Sequence, residues 1–175
     1  MSVAPSAVLP AGVAPPAFSE RTLRDALGQF ATGVTVVTAW DAASGQPVGL
    51  TVSSFNSVSL QPPLVLWSLG LRASTLAAFE GCSHYAIHVL AQDQLPLANR
   101  FATRGIDRFA DLPWSAGLGG APLLAGALAT FECRNRNRHP EGDHVIFVGE
   151  VLRCQSRADA QPLLYHRGQM RGWDA

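Results

Sequence analysis

The chain has 175 residues, 47% of them hydrophobic and only 15% charged, and its 13 basic and 13 acidic side chains cancel to a formal net charge of zero. It is long enough for one well-packed domain and too short for two enzyme domains, and its composition excludes a disordered protein or a charged coiled coil. No basic excess points to nucleic acid, and because every basic residue is Arg, Schiff-base chemistry on a Lys is excluded.

Residues 1–18 carry Pro5, Pro10, Pro15 and Pro16 and no charged side chain. They lack the basic start and unbroken apolar run of a secretory signal. We read them as a disordered Ala/Pro-rich extension before a domain over residues 19–175. Three Cys, an odd number with no C-x-x-C pair, argue against a disulfide scaffold or a Cys-based zinc site and suit a reducing cytoplasm. No stretch is long and apolar enough for a membrane helix.

Ser19 reads as an N-cap, and Leu23, Leu27, Phe30 and Ala31 at helical spacing predict a helix over about 20–32. The period then changes. The Val- and Thr-rich run 33–40 predicts a strand, 41–47 a hairpin loop, and 48–60 a second extended segment. After Pro62-Pro63, the apolar run 64–69 predicts a strand buried on both faces. A short helix over 73–80, a strand over 85–90 and a helix over 93–103 follow. Residues 105–120 read as a loop. Two long strands, 128–138 and 144–153, form a hairpin through His139-Pro140-Glu141-Gly142, and a last strand lies near 163–165. About seven strands joined mostly by hairpins, with three short helices, predict a mainly β barrel rather than a doubly wound parallel sheet.

Three features suggest chemistry. From Ala42 to Leu71 no residue is charged, yet the segment is rich in Ser, Thr and Asn around Gly49. Small hydroxyls and backbone amides can hold a polar heterocycle, with Gly49 allowing close approach; an ordinary Ser-rich strand reads the same way. Arg72-Ala73-Ser74-Thr75 opens a helix after a buried strand, where free amides and hydroxyls suit an anion, although Ser74 as a plain N-cap fits too. His144 follows Gly142-Asp143 at a strand's start, which suits a pocket rim; a His sharing a face with Ile146 and Val148 is also commonly a satisfied core residue.

Arg134, Arg136 and Arg138 alternate along one strand and read as a solvated outer face. His84, His88 and His166 are too scattered for a metal site, since a four-residue separation along a strand is about 13 Å. Cys133 and Cys154 read as small apolar residues.

The blocks ATGVTVVTAW, GLTVSSFNSVSLQPPLVLWSL, RAST, DRFADLPW, GDHVIFVGEV and PLLYHRGQ, in that order over about residues 20–170, resemble the short-chain flavin reductases, the reductase components of two-component flavin-dependent monooxygenases. The resemblance implies a flavin-binding split β-barrel of Greek-key type with short peripheral helices, working as a homodimer. It implies FMN or FAD as the flavin, NADH or NADPH as hydride donor, and a partner monooxygenase that receives reduced flavin. By position, Thr32, Gly33 and Val34 would lie near the isoalloxazine ring. Thr51, Val52, Ser53, Ser54, Asn56 and Ser57 would hold the ring and ribityl chain, and Ser74 and Thr75 the phosphate. His144 would meet the nicotinamide as the catalytic side chain, with Tyr165, His166 and Arg167 close by and Arg100 and Phe101 as weaker candidates. The implied alternatives are a split-barrel module that binds flavin or haem without rapid turnover, and a relative of pyridoxamine phosphate oxidation, which the lack of Lys disfavours.

Overall fold

The computed structural model describes residues 16–173. Most of the expected extension over 1–18 therefore lies outside the described residues. The first helix, α1 (Glu20–Leu27), is capped as expected, with the Ser19 hydroxyl accepting the Thr22 N–H at 3.1 Å. It stops earlier than its apolar spacing suggests, because the chain turns at Gly28. None of its residues is buried, and Leu23, Leu27 and Phe30 face outward.

Twelve strands follow among the described residues: β1 (Thr32–Gly33), β2 (Thr35–Asp41), β3 (Gln46–Val52), β4 (Asn56–Leu60), β5 (Pro63–Gly70), β6 (His84–Val89), β7 (Trp114–Ala116), β8 (Pro122–Leu124), β9 (Ala129–Glu141), β10 (His144–Ser156), β11 (Leu163–His166) and β12 (Gln169–Gly172). Helix α2 (Leu76–Gly81) lies between β5 and β6, and α3 (Leu95–Ala102) between β6 and β7. The segment expected as one strand over 48–60 breaks at Ser53-Ser54-Phe55 into β3 and β4. The expected loop over 105–120 contains β7, and the expected final strand is followed by β12. The strand expected to be buried on both faces alternates instead: Val65, Trp67 and Leu69 are buried and their neighbours only half-buried.

Seven strands form one antiparallel sheet in the order β3-β2-β6-β9-β10-β5-β4. Strands β3 and β4, consecutive in the chain, are its two edges. Side chains from both ends of the sheet meet in one core: Val48 and Leu50 of β3, Val37 of β2, Trp67 of β5 and Phe147 of β10. Only a sheet rolled on itself brings these together, so the molecule is a barrel split between β3 and β4. Trp67 anchors it, stacked on Phe147 at 4.6 Å and edge-on to Phe79 at 5.0 Å. Burial raises the Cys133 thiol to about 12, which leaves it an inert packing group.

A second core lies outside the barrel, where Val34, Val36, Leu90, Ala98, Phe101, Leu124 and Leu163 pack together. It fastens α3 and a small sheet, β1-β11-β12, against the barrel wall. At its margin His88 is fully buried. Its Nε2 accepts the Leu124 N–H at 3.1 Å, so the neutral ring carries its proton on Nδ1 and donates it to the Val36 carbonyl at 3.1 Å. Burial pulls its pKa down to about 4. The satisfied core histidine is thus His88, while His144 stands half exposed. The three alternating Arg residues lie on the outer face as expected, and Arg134 and Arg136 both pair with Glu150. No helix among the described residues is long and apolar enough to cross a membrane.

Candidate functional site

The hairpin β11–β12 turns through Arg167 and Gly168, with φ of +50° and +78°, a mirror-image turn that matches the twist of its strands. Its tip docks on the end of α1. The Arg167 N–H donates to the Gly28 carbonyl at 3.0 Å, and the Arg167 guanidinium forks onto the Gln29 Oε1 at 2.7 and 3.0 Å. Strand β1 pairs with β11, placing Thr32 opposite Tyr165.

These contacts enclose a cleft of about 750 Å³, a size suited to a small ligand or cofactor. Thr32, Ser53, Tyr165 and Arg167, four of the sequence candidates, line it together with Leu27, Gln29 and Phe30. The Thr32 Oγ1 is buried and has no hydrogen-bond partner among the described residues. A buried polar group left unpaired costs stability unless something satisfies it. A smaller pocket of about 210 Å³ adjoins through Ser53 and Tyr165, and is lined by Val34, Thr51 and Val52. An unpaired donor–acceptor beside Leu27, Phe30 and Tyr165, in a cleft that also carries Arg24, Asp25 and Arg167, fits the polar edge and apolar faces of a flavin ring.

Other candidates are differently employed. The Thr51 hydroxyl donates to the Ala98 carbonyl at 2.7 Å and ties β3 to α3. The Ser54 Oγ accepts the Ser68 N–H at 2.9 Å and lies 3.2 Å from the Ser68 carbonyl, bridging the break after β3 to β5. Asn56 and Ser57 open the edge strand β4 in solvent, with the Asn56 Oδ1 accepting the Ser57 N–H at 2.8 Å. Gly33 is exposed in β1, and the Val34 side chain is buried in the second core. At Gly49 a Cβ would lie 2.7 Å from the Phe101 ring, so packing against Phe101 already requires the small residue. Phe101 itself is fully buried, and Arg100 donates to the Ala110 carbonyl.

Ser74 and Thr75 line a separate groove of about 370 Å³ with Pro47 to Gly49 and the loop Gly105 to Phe109. The helix expected from residue 73 begins at Leu76, and Thr75 takes the N-cap position without its side chain bonding a helix amide. Arg108 forms the opposite wall, its Nη1 donating to the Gly49 carbonyl at 2.8 Å and its Nε to the Thr103 carbonyl at 3.0 Å. His144 lines neither place. It opens β10 opposite Gly70, with its Nδ1 2.6 Å from the Asp143 Oδ1. That bond is the main reason the Asp143 carboxyl sits below its ordinary value. His166 closes β11 opposite Gln169.

Sequence reasoning missed Gln29, Phe30 and Arg108. Gln29 carried a usable signal, since it directly follows the Gly28 helix stop. Arg108 lies inside DRFADLPW, but nothing local reveals its reach across to Gly49.

A family model described as "Flavin reductase like domain" matches residues 27–174. The chain is 51% identical over 150 residues to "FMN reductase (NADH) SmoA" of Agrobacterium fabrum, covering 86% of this chain and 84% of that protein. It is 39% identical to "Flavin-dependent monooxygenase, reductase subunit HsaB" of Rhodococcus jostii, covering 91% and 81%. Among solved structures it superposes on the Streptomyces globisporus NADH:FAD oxidoreductase SgcE6, in complex with NAD and FAD fragments, with a TM-score of 0.81 at 39% identity, covering 87% of this chain and 92% of that one. The chain belongs to the flavin reductase like family.

Proposed function

We infer that the protein is an NAD(P)H:flavin oxidoreductase that delivers reduced flavin to a separate monooxygenase. The observation that carries this is the buried, unpartnered Thr32 hydroxyl in a cleft lined by Leu27, Phe30 and Tyr165 together with Arg24, Asp25 and Arg167, in a flavin reductase like domain. The bound flavin, FMN or FAD, supplies the acceptor for a hydride from NADH or NADPH.

The chain's own part is binding and placement. Thr32 and Ser53 offer hydroxyls to the polar edge of the ring, and Tyr165 and Phe30 offer apolar surface to its faces. Ser74, Thr75 and Arg108 offer donors to a phosphate. His144 orients the nicotinamide: Asp143 accepts from its Nδ1, which leaves Nε2 for the ligand. No nucleophile is required. Burial holds the Cys82 thiol up near 11, away from the thiolate.

Reductase subunits of flavin-dependent monooxygenases among the relatives support the oxygenase partner. A cytoplasmic homodimer is part of the same reading. The unburied Leu23, Leu27 and Phe30 on one segment, and Leu60 at 90% exposure on an edge strand, support it, since apolar area of this kind is commonly covered by a partner. We assign residues 19–175 to the single catalytic domain.

The test is anaerobic mixing of the purified protein with NADH or NADPH and each of FMN, FAD and riboflavin. Bleaching of the flavin absorbance at a rate set by enzyme concentration supports the reading. Absence of catalysed bleaching with every pair overturns it.

A further inference from the structure

The tip of the β11–β12 hairpin carries a residue that its backbone disfavours. Arg167 and Gly168 are the two central positions of the turn, at φ +50° and +78°. A turn of this hand favours Asn or Gly at its first position, and a long side chain is uncommon there. Local strain of this kind persists where the surrounding structure makes use of it. The use is visible: the Arg167 Nε and Nη2 both donate to the Gln29 Oε1.

Gln29 is engaged at both ends of its carboxamide. Its oxygen takes the fork from Arg167, and its Nε2 donates to the Asp25 carbonyl at 3.2 Å, in the last turn of α1. One side chain thus ties the end of the helix to the tip of the hairpin. Among the described residues, 19–30 reach the remainder of the domain by hydrogen bonds only through Arg167, from its guanidinium and its backbone N–H. Helix α1 has 8 residues and buries none of them, and so short a helix is marginal without tertiary support. Yet this weakly supported segment supplies Leu27, Gln29 and Phe30 to the cleft, across from Thr32, Ser53 and Tyr165.

We propose that Gln29 and Arg167 are positioning residues of the flavin site: their clasp holds the end of α1, with Leu27 and Phe30, in place as one wall of the cleft. The proposal rests on the flavin reading of that cleft. It gives Arg167 a task other than direct contact with the nicotinamide, since two of its three guanidinium nitrogens are already engaged.

The test uses the protein free of flavin. FMN is titrated by fluorescence into the wild type, Gln29→Ala, Gln29→Glu and Arg167→Asn. Thermal melting, sedimentation and amide hydrogen exchange over residues 20–30 are measured on the same samples. Gln29→Ala should weaken FMN binding about three- to tenfold, as for one exposed hydrogen bond, and should speed exchange across α1. Gln29→Glu keeps an acceptor for the fork and should recover most of the affinity. Arg167→Asn suits the turn, so its melting temperature should hold or rise while FMN affinity falls; a merely structural Arg167 would lower both together. In steady state the KM for FMN should rise more than kcat falls. FMN affinity and α1 exchange equal to wild type in both Gln29→Ala and Arg167→Asn overturn the clasp. So does a loss of affinity that follows a changed sedimentation coefficient, which would assign these residues to assembly. A wild type that binds no FMN overturns the flavin reading of the cleft instead, and the exchange rates still show whether the clasp holds α1.

Discussion

His88 lies between the Val36 carbonyl and the Leu124 amide, each 3.1 Å from a ring nitrogen, so its tautomer is fixed by two backbone groups 88 positions apart in the chain. Protonation would turn Nε2 into a donor facing another donor. The folded pKa is about 4 against an ordinary 6.5. Between those values the unfolded chain binds a proton that the folded chain refuses. This contribution is therefore complete above pH 6.5 and is lost as pH falls toward 4, for roughly 3 kcal/mol in all. Urea midpoints measured from pH 7.5 to 4.5 should fall steeply in the wild type. His88→Gln, whose amide can both accept and donate, should show a flatter profile.

Thr32→Val removes the unpartnered hydroxyl without changing shape. If the hydroxyl serves only a ligand, the melting temperature holds or rises slightly, because an unsatisfied buried group is gone. Flavin affinity should fall about three- to tenfold, the worth of one hydrogen bond. Fluorescence titration with FMN alongside thermal melting separates the two effects. A large loss of stability with unchanged affinity would count against the cleft as the flavin site.

Gly49→Ala tests why that position is small. The new Cβ would press on the Phe101 ring and on the Val37 carbonyl, 3.1 Å away. Overpacking of this kind costs about 1–3 kcal/mol. Adding Phe101→Leu should recover part of that loss in a urea-unfolding double-mutant cycle. Additive losses would show that Phe101 is not the constraint.

Ser54→Ala should act on stability rather than on flavin. It leaves the Ser68 amide without its acceptor at the seam of the barrel, at a cost of about 1–3 kcal/mol. Chemical denaturation should detect this, with the FMN dissociation constant changed less than in Thr32→Val.

His144→Ala should raise the KM for NADH more than it weakens flavin binding. Steady-state kinetics with each substrate varied in turn provide the check. Unchanged KM and kcat for the pyridine nucleotide would remove His144 from the site.

The barrel was largely legible in the sequence, because hairpin spacing and period-two runs such as 33–40 and 144–153 are local signals. The break at Ser53 to Phe55 was not: both halves have strand composition, and only the closing of the sheet forces a bend there. Helix α1 was placed well at its capped start but extended too far, since Leu27 and Phe30 suggest a buried stripe that this chain leaves in solvent. Among the candidate site residues, Thr32, Ser53 and Tyr165 line one cleft. The hydroxyl row around Gly49 could not be sorted from sequence, because whether Thr51 or Ser54 is free depends on Ala98 and Ser68, which come from other elements.

The pinning of Arg167 to Gln29 and the pairing of β1 with β11 set the first strand against the hairpin that closes the domain. A gene rearranged to join residue 173 to residue 19 through a linker and to begin anew at the tip of the long β9–β10 hairpin would still encode every strand pairing around the cleft. Its pocket wall would then be one continuous stretch of polypeptide instead of two segments more than 130 residues apart.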